Sequence, residues 1–404
     1  MFLTNLIPVS KALKIMNNTL IKTDVEKIPL EEAYQRILAE DIISLLDSPP
    51  FSRSAMDGYA LKAEDTFNSS QKNPVPITVI DRIGAGSSSS KIVEEETAVK
   101  IATGAPIPQG ADAVIMEEFT QKQGDQLDVE ASLTPGENVS FQGEDVKKGD
   151  TILRKGKFLQ PPDLAIIASG GYDEVKVYKK PQIAVLITGS ELVMPRASLG
   201  DAEIINSNHY ALKALVESSM AIPTLFHVED HAEKVEETFS KLLEKYDALI
   251  TTGGTAISKG DVVVEVADKL GDLSIHGVAI RPGKPFAFAQ IKNKPVFMLS
   301  GYPVAAMVQY DVFVRKSLEK MQNIYKPSNL VQKTAARKMP STLGRVDYIR
   351  AKTDGDKVTP LNIKGSTITR SMVDSNCYVV IEENLEGVFE GDECDVLLYD
   401  SLRV

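Results

Sequence analysis

The sequence predicts a multidomain protein of the α/β plus β class, and three observations support this prediction. Between residues 176 and 325, short apolar runs alternate with helix-like patterns, as in a parallel sheet covered by helices on both faces. Alternating runs broken by Gly, Pro and Ser fill residues 51–140, and hairpin-like runs return after residue 328. A chain of 404 residues exceeds one ordinary core, so roughly two to four domains are expected.

The N-terminal region is predicted to be helical, because VSKALKIM and LEEAYQRILAEDI carry apolar residues at helical spacing. PPDLAIIASGG at 161–171 begins with Pro and ends with Gly, which is typical of a helix. We expect this helix to pack on the N-terminal helices, so that the β-rich segment is an insertion. The predicted domains are a helical linker domain at 1–47 plus 144–175, an inserted β-rich domain at 48–143, an α/β domain at 176–326 and a small β domain at 327–404.

Strands and helices alternate along the predicted α/β domain. The strands are expected at 183–187, 225–228, 248–251 and 296–299, and the helices at roughly 207–219, 231–246, 260–270 and 303–321. Three strand-to-helix turns combine Gly with polar groups, namely TGSEL, TTGGT and LSGYP. Ligands of such sheets bind beyond the carboxyl ends of the strands, so these turns predict a binding crevice.

The stretch YDALITTGGTAISKGD at 246–261 is the most informative of these turns. After Thr252, the pair Gly253 and Gly254 permits positive φ and close approach of the backbone to a ligand. A helix that begins there suits phosphates and other oxyanions, and Asp261 could hold a metal ion on the same anion. Arg281 and Lys284 flank a rigid Pro-Gly turn, which favours both charges pointing into the same cleft.

Composition and missing motifs exclude several classes of function. The net charge of −11 argues against nucleic-acid binding, and no apolar run approaches the ~20 residues of a membrane span. The N-terminus lacks the basic flank and apolar region of a signal peptide, and Cys377 and Cys394 show no CxxC spacing, so a reducing cytoplasm is expected. The sequence motifs of P-loop nucleotidases, dinucleotide-binding folds and serine hydrolases are absent.

The candidate metal ligands are the carboxylates that lie at turns, namely Asp57, Asp145, Glu191, Asp230 and Asp261. Mg²⁺ usually takes one or two carboxylates beside a substrate phosphate. Any one of these carboxylates is more often a solvated turn residue or a helix cap, so the hypothesis depends on Glu191 and Asp261 lying at one end of the same sheet. By composition alone, Asp57 and Thr103 are turn residues before glycines.

Six segments, taken together and in order, resemble the molybdopterin molybdenumtransferase family, which includes bacterial MoeA, a plant E domain and the gephyrin E domain. They are PPFSRSAMDGYA, TGAPIPQGADAVIMEE, GENVSFQGEDV, ITGSEL, TTGG…GD and RPGKPFAF. The resemblance runs from about residue 5 to residue 400 and implies four domains per subunit, a homodimer, a doubly wound molybdopterin-binding domain at 176–326 and a small C-terminal β-barrel. It also implies conversion of adenylylated molybdopterin and molybdate, with Mg²⁺, to molybdenum cofactor and AMP. Molybdopterin adenylyltransferase and molybdoenzymes are the further partners it suggests.

The resemblance also implies the site residues. The catalytic positions are Asp57, Thr103, Asp145, Glu191, Asp230 and Asp261, of which Asp145, Glu191 and Asp261 are expected to hold Mg²⁺. The substrate-binding positions are Thr252, Gly253, Gly254, Arg281, Lys284, Ser300, Arg350 and Ser366. In the family the inserted domain of one chain faces the α/β domain of the other, so the site is expected between subunits.

Three departures from the family pattern leave alternatives open. Gly277 stands where a Lys is common, SGYP replaces PGNP with Ser300 and Tyr302, and Lys259 and Gly260 replace a Gly-Glu pair. These changes allow a tungstate-preferring variant, an altered metal, or a diverged paralogue that acts as a non-catalytic, cofactor-binding scaffold. A general phosphate- or nucleotide-hydrolysing enzyme is a further alternative.

Overall fold

A computed structural model describes residues 6–254, 261–325, 329–361, 365 and 367–399. The chain divides into two units, one formed by Lys27–Val177 and the other by Met1–Glu26 together with Tyr178–Val404. This division is coarser than the four predicted domains, whose boundaries stay predictions.

Eight α-helices lie in the described residues, and none of them has the length and apolar character needed to cross a bilayer. They are α1 Val9–Thr19, α2 Pro161–Ser169, α3 Ser207–Ser218, α4 Ala232–Lys245, α5 Val262–Leu270, α6 Pro303–Gln309, α7 Arg315–Met321 and α8 Arg370–Val373. One turn of π-helix, Tyr310–Val314, joins α6 to α7, and we call it the π-turn. Short 3₁₀ turns occupy Leu30–Glu32, Ala63–Thr66 and Glu117–Phe119. The four helices predicted in the α/β domain are therefore confirmed.

The unit formed by Lys27–Val177 is rich in β structure. Its strands are β1 Val25–Pro29, β2 Ile42–Ile43, β3 Arg53–Ser54, β4 Gly58–Leu61, β5 Ser70–Ile83, β6 Thr97–Ile101, β7 Ala113–Met116, β8 Thr120–Gln123, β9 Gln126–Ala131, β10 Val139–Ser140, β11 Thr151–Leu153 and β12 Glu174–Tyr178. Six of them form one sheet in the order β7-β4-β6-β5-β9-β8. Successive residues of β4 point to opposite faces of this sheet. Tyr59 enters one apolar core and Ala60 enters another, so both faces of the sheet are covered.

One of the two predicted N-terminal helices is wrong. LEEAYQRILAEDI forms only a 3₁₀ turn, and its residues Ile37 and Leu38 make isolated β-bridges to Phe158 and Val177. Pairing with distant backbone has overridden the helical spacing of its apolar residues. The helix predicted at 161–171 is confirmed as α2, but it shares a core with this segment and not with α1, which packs in the other unit.

The main sheet of the α/β domain contains the four predicted strands and two more. The strands of the domain are β13 Gln182–Thr188, β14 Leu192–Val193, β15 Ile204–Ile205, β16 Ile222–Val228, β17 Ala248–Thr252, β18 Asp272–His276, β19 Ile280–Arg281, β20 Ala287–Ile291 and β21 Lys294–Leu299. The main sheet runs β16-β13-β17-β21-β20-β18, in which the first four strands are parallel and β18 and β20 are the two additional ones. The prediction of a parallel sheet is wrong for β20 and β18, which run antiparallel to their neighbours. Lys292 and Asn293 take positive φ and form the tight turn of the hairpin between β20 and β21.

The C-terminal domain is a closed five-stranded barrel, so the predicted fold class is confirmed. Its strands are β22 Leu330–Ala335, β23 Met339–Pro340, β24 Val346–Asp354, β25 Lys357–Pro360, β26 Cys377–Ile381, β27 Gly387–Val388 and β28 Glu393–Leu398. The barrel consists of β24, β25, β22, β28 and β26 in this order, and it closes because β26 pairs with both β28 and β24. Strand β19 of the α/β domain adds to β24 in parallel, which attaches the start of the RPGKP turn to the barrel.

A buried ionic network joins the π-turn to the barrel. The two carboxylate oxygens of Asp311 accept hydrogen bonds from Arg315 Nη2 and from the Tyr378 hydroxyl, each at 3.0 Å. Arg315 Nη1 also donates to the hydroxyls of Ser218 and Ser219 at the end of α3. The Asp311 and Arg315 side chains are only 10% and 11% exposed, so each charge depends on the other for the hydration it has lost.

Replacing Asp311 by Ala should lower the free energy of unfolding by about 3–5 kcal/mol, because the buried charge of Arg315 would lose the ion pair and the two hydrogen bonds that Asp311 supplies. Tyr378→Phe should cost only about 1 kcal/mol, the value of one hydrogen bond. Denaturant unfolding followed by circular dichroism measures both changes.

The matched control is Glu237→Ala, because Glu237 and Lys241 form an ion pair at the same i,i+4 spacing on the exposed face of α4. Its loss should cost less than about 0.5 kcal/mol. An Asp311→Ala effect as small as that of the control would contradict the role given to the buried network.

Candidate functional site

The three glycine-containing turns predicted from the sequence meet at the carboxyl edge of the α/β sheet. A Cβ added to Gly253 would lie 2.3 Å from the Thr188 carbonyl oxygen, and one added to Gly301 would lie 3.6 Å from the Gly253 Cα. The backbones of the turns after β13, β17 and β21 are therefore in contact. We refer to the sheet edge at which these turns meet as the crevice.

Thr252 holds two of these turns together. Its hydroxyl donates to the Ser300 carbonyl at 2.9 Å and accepts from Asn208 Nδ2 at 3.0 Å. Asn208 Nδ2 also donates to the Gly301 carbonyl at 2.9 Å. Nothing in the sequence distinguishes Asn208, because its place in the first turn of α3 is that of an ordinary polar residue.

Several buried polar atoms of the crevice make no hydrogen bond with the described residues. They are Thr188 Oγ1, Thr251 Oγ1 and Asn208 Oδ1. Leaving a buried polar atom unpaired costs about 1–3 kcal/mol, so native proteins keep few of them without a purpose. Their grouping at one sheet edge is what a site for a polar ligand would require.

Asp261 is the buried carboxylate of the crevice. It directly precedes α5, is 6% exposed, and neither of its carboxylate oxygens makes a hydrogen bond of ordinary geometry to the described residues. Burial raises the pKa of Asp261 to about 7, and the nearby charges of Asp230 and Glu265 add to this rise. The amides of Val263 and Val264 favour the ionised form and offset part of it. A proton or a nearby cation would stabilise this side chain.

The other predicted carboxylates of this unit are exposed. Glu191 folds back over its own turn, with its oxygens 2.9 Å and 3.0 Å from where a Cβ on Gly189 would lie. Asp230 follows β16, close enough to Asp261 to raise its pKa. Among the described residues, no three His, Cys, Asp or Glu side chains lie close enough together to hold a metal ion. Asp261 thus fits a Mg²⁺ site of the kind in which substrate phosphates and water supply most of the ligands.

A cavity of about 860 Å³, which we call the basic cavity, lies between the α/β domain and the barrel of the same unit. Among the described residues, its charged lining consists of the cations Arg281, Lys284, Lys338 and Arg350 and the carboxylate Asp347. Four positive charges against one negative charge make it a site for anions. Lys338 and Asp347 were not predicted from the sequence, because nothing in the sequence brings the barrel residues close to the RPGKP turn.

The cations of the basic cavity differ in burial. Arg281 is 52% exposed, with Nη1 at 3.4 Å from Asp347, whose other oxygen accepts from Arg345 Nε at 3.0 Å. Arg350 is 9% exposed and donates to the Gly365 carbonyl at 2.9 Å. Burial lowers the pKa of the Arg350 guanidinium, with a smaller effect of the same sign from Arg281, but a guanidinium stays charged in proteins. Lys284 is exposed at the same turn as Arg281.

Gln309 connects the crevice to the basic cavity. Its side chain is fully buried, with Oε1 accepting from the Ser300 amide at 2.7 Å and Nε2 donating to the Gly283 carbonyl at 2.6 Å. A single amide therefore fixes the turn that carries Arg281 and Lys284 against the turn that follows β21. The sequence did not identify Gln309, because it reads as one more residue of an amphipathic helix.

The remaining predicted residues lie elsewhere in the chain. In the Lys27–Val177 unit, Asp57 accepts a hydrogen bond from the Thr103 amide at 2.8 Å. This amide and the Thr103 hydroxyl hold the pKa of Asp57 below its ordinary value. Asp145 is an exposed residue of the same unit, and its contribution to the crevice stays a prediction. Ser366 lies outside the described residues.

Three family models match the chain in sequence order. They are the "MoeA N-terminal region (domain I and II)" at residues 7–171, the "Probable molybdopterin binding domain" at 184–320 and the "MoeA C-terminal region (domain IV)" at 332–399. A relative named "Putative molybdopterin biosynthesis protein" from Methanocaldococcus jannaschii is 40% identical over 408 residues, covering 98% of each chain. The molybdopterin molybdenumtransferase of Staphylococcus aureus is 33% identical over 404 residues, covering 98% of this chain and 96% of the relative.

A solved structure gives the same result for the fold. The crystal structure of the molybdopterin biosynthesis MoeA protein from Pyrococcus horikoshii has a TM-score of 0.83 and 36% sequence identity. The match covers 98% of this chain and 100% of the other. The similarity therefore extends over all parts of the fold described above.

Replacing Gly253 by Ala should destabilise the protein by about 3 kcal/mol or more, because the new Cβ would lie 2.3 Å from the Thr188 carbonyl oxygen at a φ of +93°. The control is Gly355→Ala, where φ is +65° and no atom lies within 4 Å of the new Cβ. That change should cost about 1–2 kcal/mol from backbone conformation alone. Chemical unfolding of both variants measures the difference, and equal losses would show that the turns do not touch.

Proposed function

The chain belongs to the MoeA family, as its motifs predicted, and from this premise we propose that it acts in molybdenum cofactor biosynthesis as a molybdopterin molybdenumtransferase. The observation that supports this best is that the crevice and the basic cavity are joined at Gln309. A crevice with a buried carboxylate and unpaired polar atoms adjoins a cavity with four cations. A substrate that carries both a pyrophosphate and an acceptor for an oxyanion needs two such adjacent sites.

We propose that the crevice and the basic cavity divide the substrates between them. The backbone at Thr252, Gly253 and Gly254 holds a phosphate of adenylylated molybdopterin, since both glycines take positive φ and leave the backbone accessible. Arg281, Lys284 and Arg350 hold the molybdate, since guanidinium and ammonium groups bind doubly charged oxyanions by charge-assisted hydrogen bonds. Ser300 and Ser366 complete the substrate-binding set of this proposal.

Asp261 is the proposed ligand of Mg²⁺, with Glu191, Asp230 and Asp145 as further carboxylates at the same reaction centre. When bound, Mg²⁺ would neutralise charge that develops on the pyrophosphate during P–O cleavage. Arg281 and Lys284 would stabilise the same developing charge from the side of the cavity, and AMP would leave as an oxygen of water or of molybdate forms the new bond to phosphorus. Chemistry of this kind depends on positioning and electrostatics and needs no protein nucleophile.

The proposal also includes a second subunit. Asp57, Thr103 and Asp145 belong to the Lys27–Val177 unit, and we propose that they reach the crevice of a partner chain in a homodimer. The hydrogen bond from the Thr103 amide to Asp57 fixes these two groups relative to each other. A cytoplasmic location and contact with molybdopterin adenylyltransferase and molybdoenzymes are parts of the same proposal.

The proposed activity is tested by molybdate-dependent release of AMP from adenylylated molybdopterin by the purified protein. Asp261→Ala should lower the rate by roughly 100-fold or more while the protein stays folded, because the reaction centre loses its buried charge. Lys284→Ala should raise the KM for molybdate by about 10-fold or more, since one charge-assisted hydrogen bond to a dianion is lost. The control is Lys292→Ala, an exposed cation of the β20–β21 turn that does not line the cavity.

The outcomes separate the competing functions. Turnover of simple nucleotides without a pterin would indicate a general hydrolase, and tight binding without any turnover would indicate a scaffold. Preference for tungstate over molybdate in the same assay would identify the variant oxyanion. An Asp261→Ala protein that releases AMP at the wild-type rate would contradict the proposed role of Asp261.

A further inference from the structure

Tyr302 is an aromatic side chain that remains exposed at the basic cavity. It precedes α6 and is 58% exposed, although Val304 and Ala305 in the same segment are buried. It lines the basic cavity together with Arg281 and Lys284. An exposed aromatic ring in the lining of a cavity that also contains cations is placed where a ligand, and not the protein core, would cover it.

The backbone of Tyr302 is fixed on both sides. Its amide donates to the Ser300 hydroxyl at 3.3 Å, and its carbonyl accepts from the Ala306 amide at 2.9 Å. Pro303 follows and restricts the backbone further. Only the two side-chain torsions of Tyr302 remain free, so ordering its ring against a ligand costs little conformational entropy.

The ring of Tyr302 has no partner within the part of the chain that the structure describes. Its hydroxyl makes no hydrogen bond there, and no aromatic or cationic side chain stacks on it. The other tyrosine of the cavity lining, Tyr348, differs in this respect, because it packs edge-on against Tyr378 at 6.1 Å between ring centroids. Tyr302 is therefore available for stacking, whereas Tyr348 packs against the apolar core that surrounds the α/β sheet.

The position of Tyr302 joins the two proposed binding sites. On one side, the preceding Gly301 touches Gly253 in the crevice, where we place a phosphate. On the other side, Tyr302 itself faces the cations of the basic cavity. Tyr302 is thus a residue of the cavity lining that directly follows the glycine in contact with the turn at which we place the phosphate.

We propose that Tyr302 is a stacking platform for a planar nitrogen heterocycle of the substrate. This inference rests on the proposed function, in which the pyrophosphate of the substrate carries a pterin on one side and an adenine on the other. Both are flat, phosphate-bearing heterocycles, and aromatic stacking tolerates either of them. Stacking of one such ring on an aromatic side chain typically contributes about 5- to 100-fold in affinity.

The test is a set of binding measurements with the full-length protein and three probes, namely AMP, neopterin monophosphate and ribose 5-phosphate. Calorimetry should show that Tyr302→Ser weakens binding of AMP, of neopterin monophosphate, or of both by about 5-fold or more. Binding of ribose 5-phosphate, which has no ring to stack, should not change. Tyr302→Phe should bind all three probes within about 2-fold of wild type, since the aromatic face is kept.

The control is Tyr325→Ser, because Tyr325 is 79% exposed and lies outside the cavity lining. Weaker binding of AMP alone would assign the platform to the adenine, and weaker binding of the pterin alone would assign it to the pterin. Equal loss for ribose 5-phosphate, or no loss for either ringed probe, would overturn the proposal. These measurements involve no turnover, so a failure of molybdate-dependent AMP release would contradict the proposed function and leave this result standing.

Discussion

The hydrogen bonds of one buried amide organise the candidate site. Gln309 is fully enclosed, so its oxygen and nitrogen must both be paired inside the protein, and they are paired with the Ser300 amide and the Gly283 carbonyl. The first partner belongs to the turn that completes the crevice, and the second belongs to the turn that carries Arg281 and Lys284. Neither turn can move without breaking a buried hydrogen bond. The crevice and the basic cavity are thereby held as neighbours, which a reaction between a pyrophosphate and an oxyanion requires.

The distribution of charge follows the same logic. The chain carries a net charge of −11, yet the basic cavity has four cations and one carboxylate, which is itself engaged by Arg345 and Arg281. In the crevice the balance is reversed, because burial raises the pKa of Asp261 to about 7 and its oxygens make no ordinary hydrogen bond with the described residues. The basic cavity suits an anion of the substrate, and the adjacent crevice suits a cation at Asp261. The clustered cations and the buried carboxylate each lower the stability of the folded protein when nothing is bound, which is typical of functional sites.

Periodicity and turn chemistry in the sequence predicted much of this arrangement. The runs at 183–187 and 248–251 are strands as expected, and the turns after them converge as expected because parallel strands end at one edge. Features set by contacts between distant segments were missed. Gln309 and Asn208 look ordinary in their helices, Asp347 comes close to Arg281 only because β19 joins β24, and LEEAYQRILAEDI gives up its helical pattern to pair with residues far along the chain. The reach of Asp57, Thr103 and Asp145 into the crevice depends on a second subunit, so it stays a prediction.

In the proposed arrangement, the basic cavity binds one anion directly, and the crevice binds a second anion beside a cation at Asp261. A crystal structure of the protein soaked with molybdate, AMP and Mg²⁺ is the direct test. An oxyanion is expected against Lys284 and Arg350 and a phosphate against the backbone of Gly253 and Gly254, on opposite sides of the wall held by Gln309. Anions bound only on open surface, away from the crevice and the basic cavity, would contradict this arrangement.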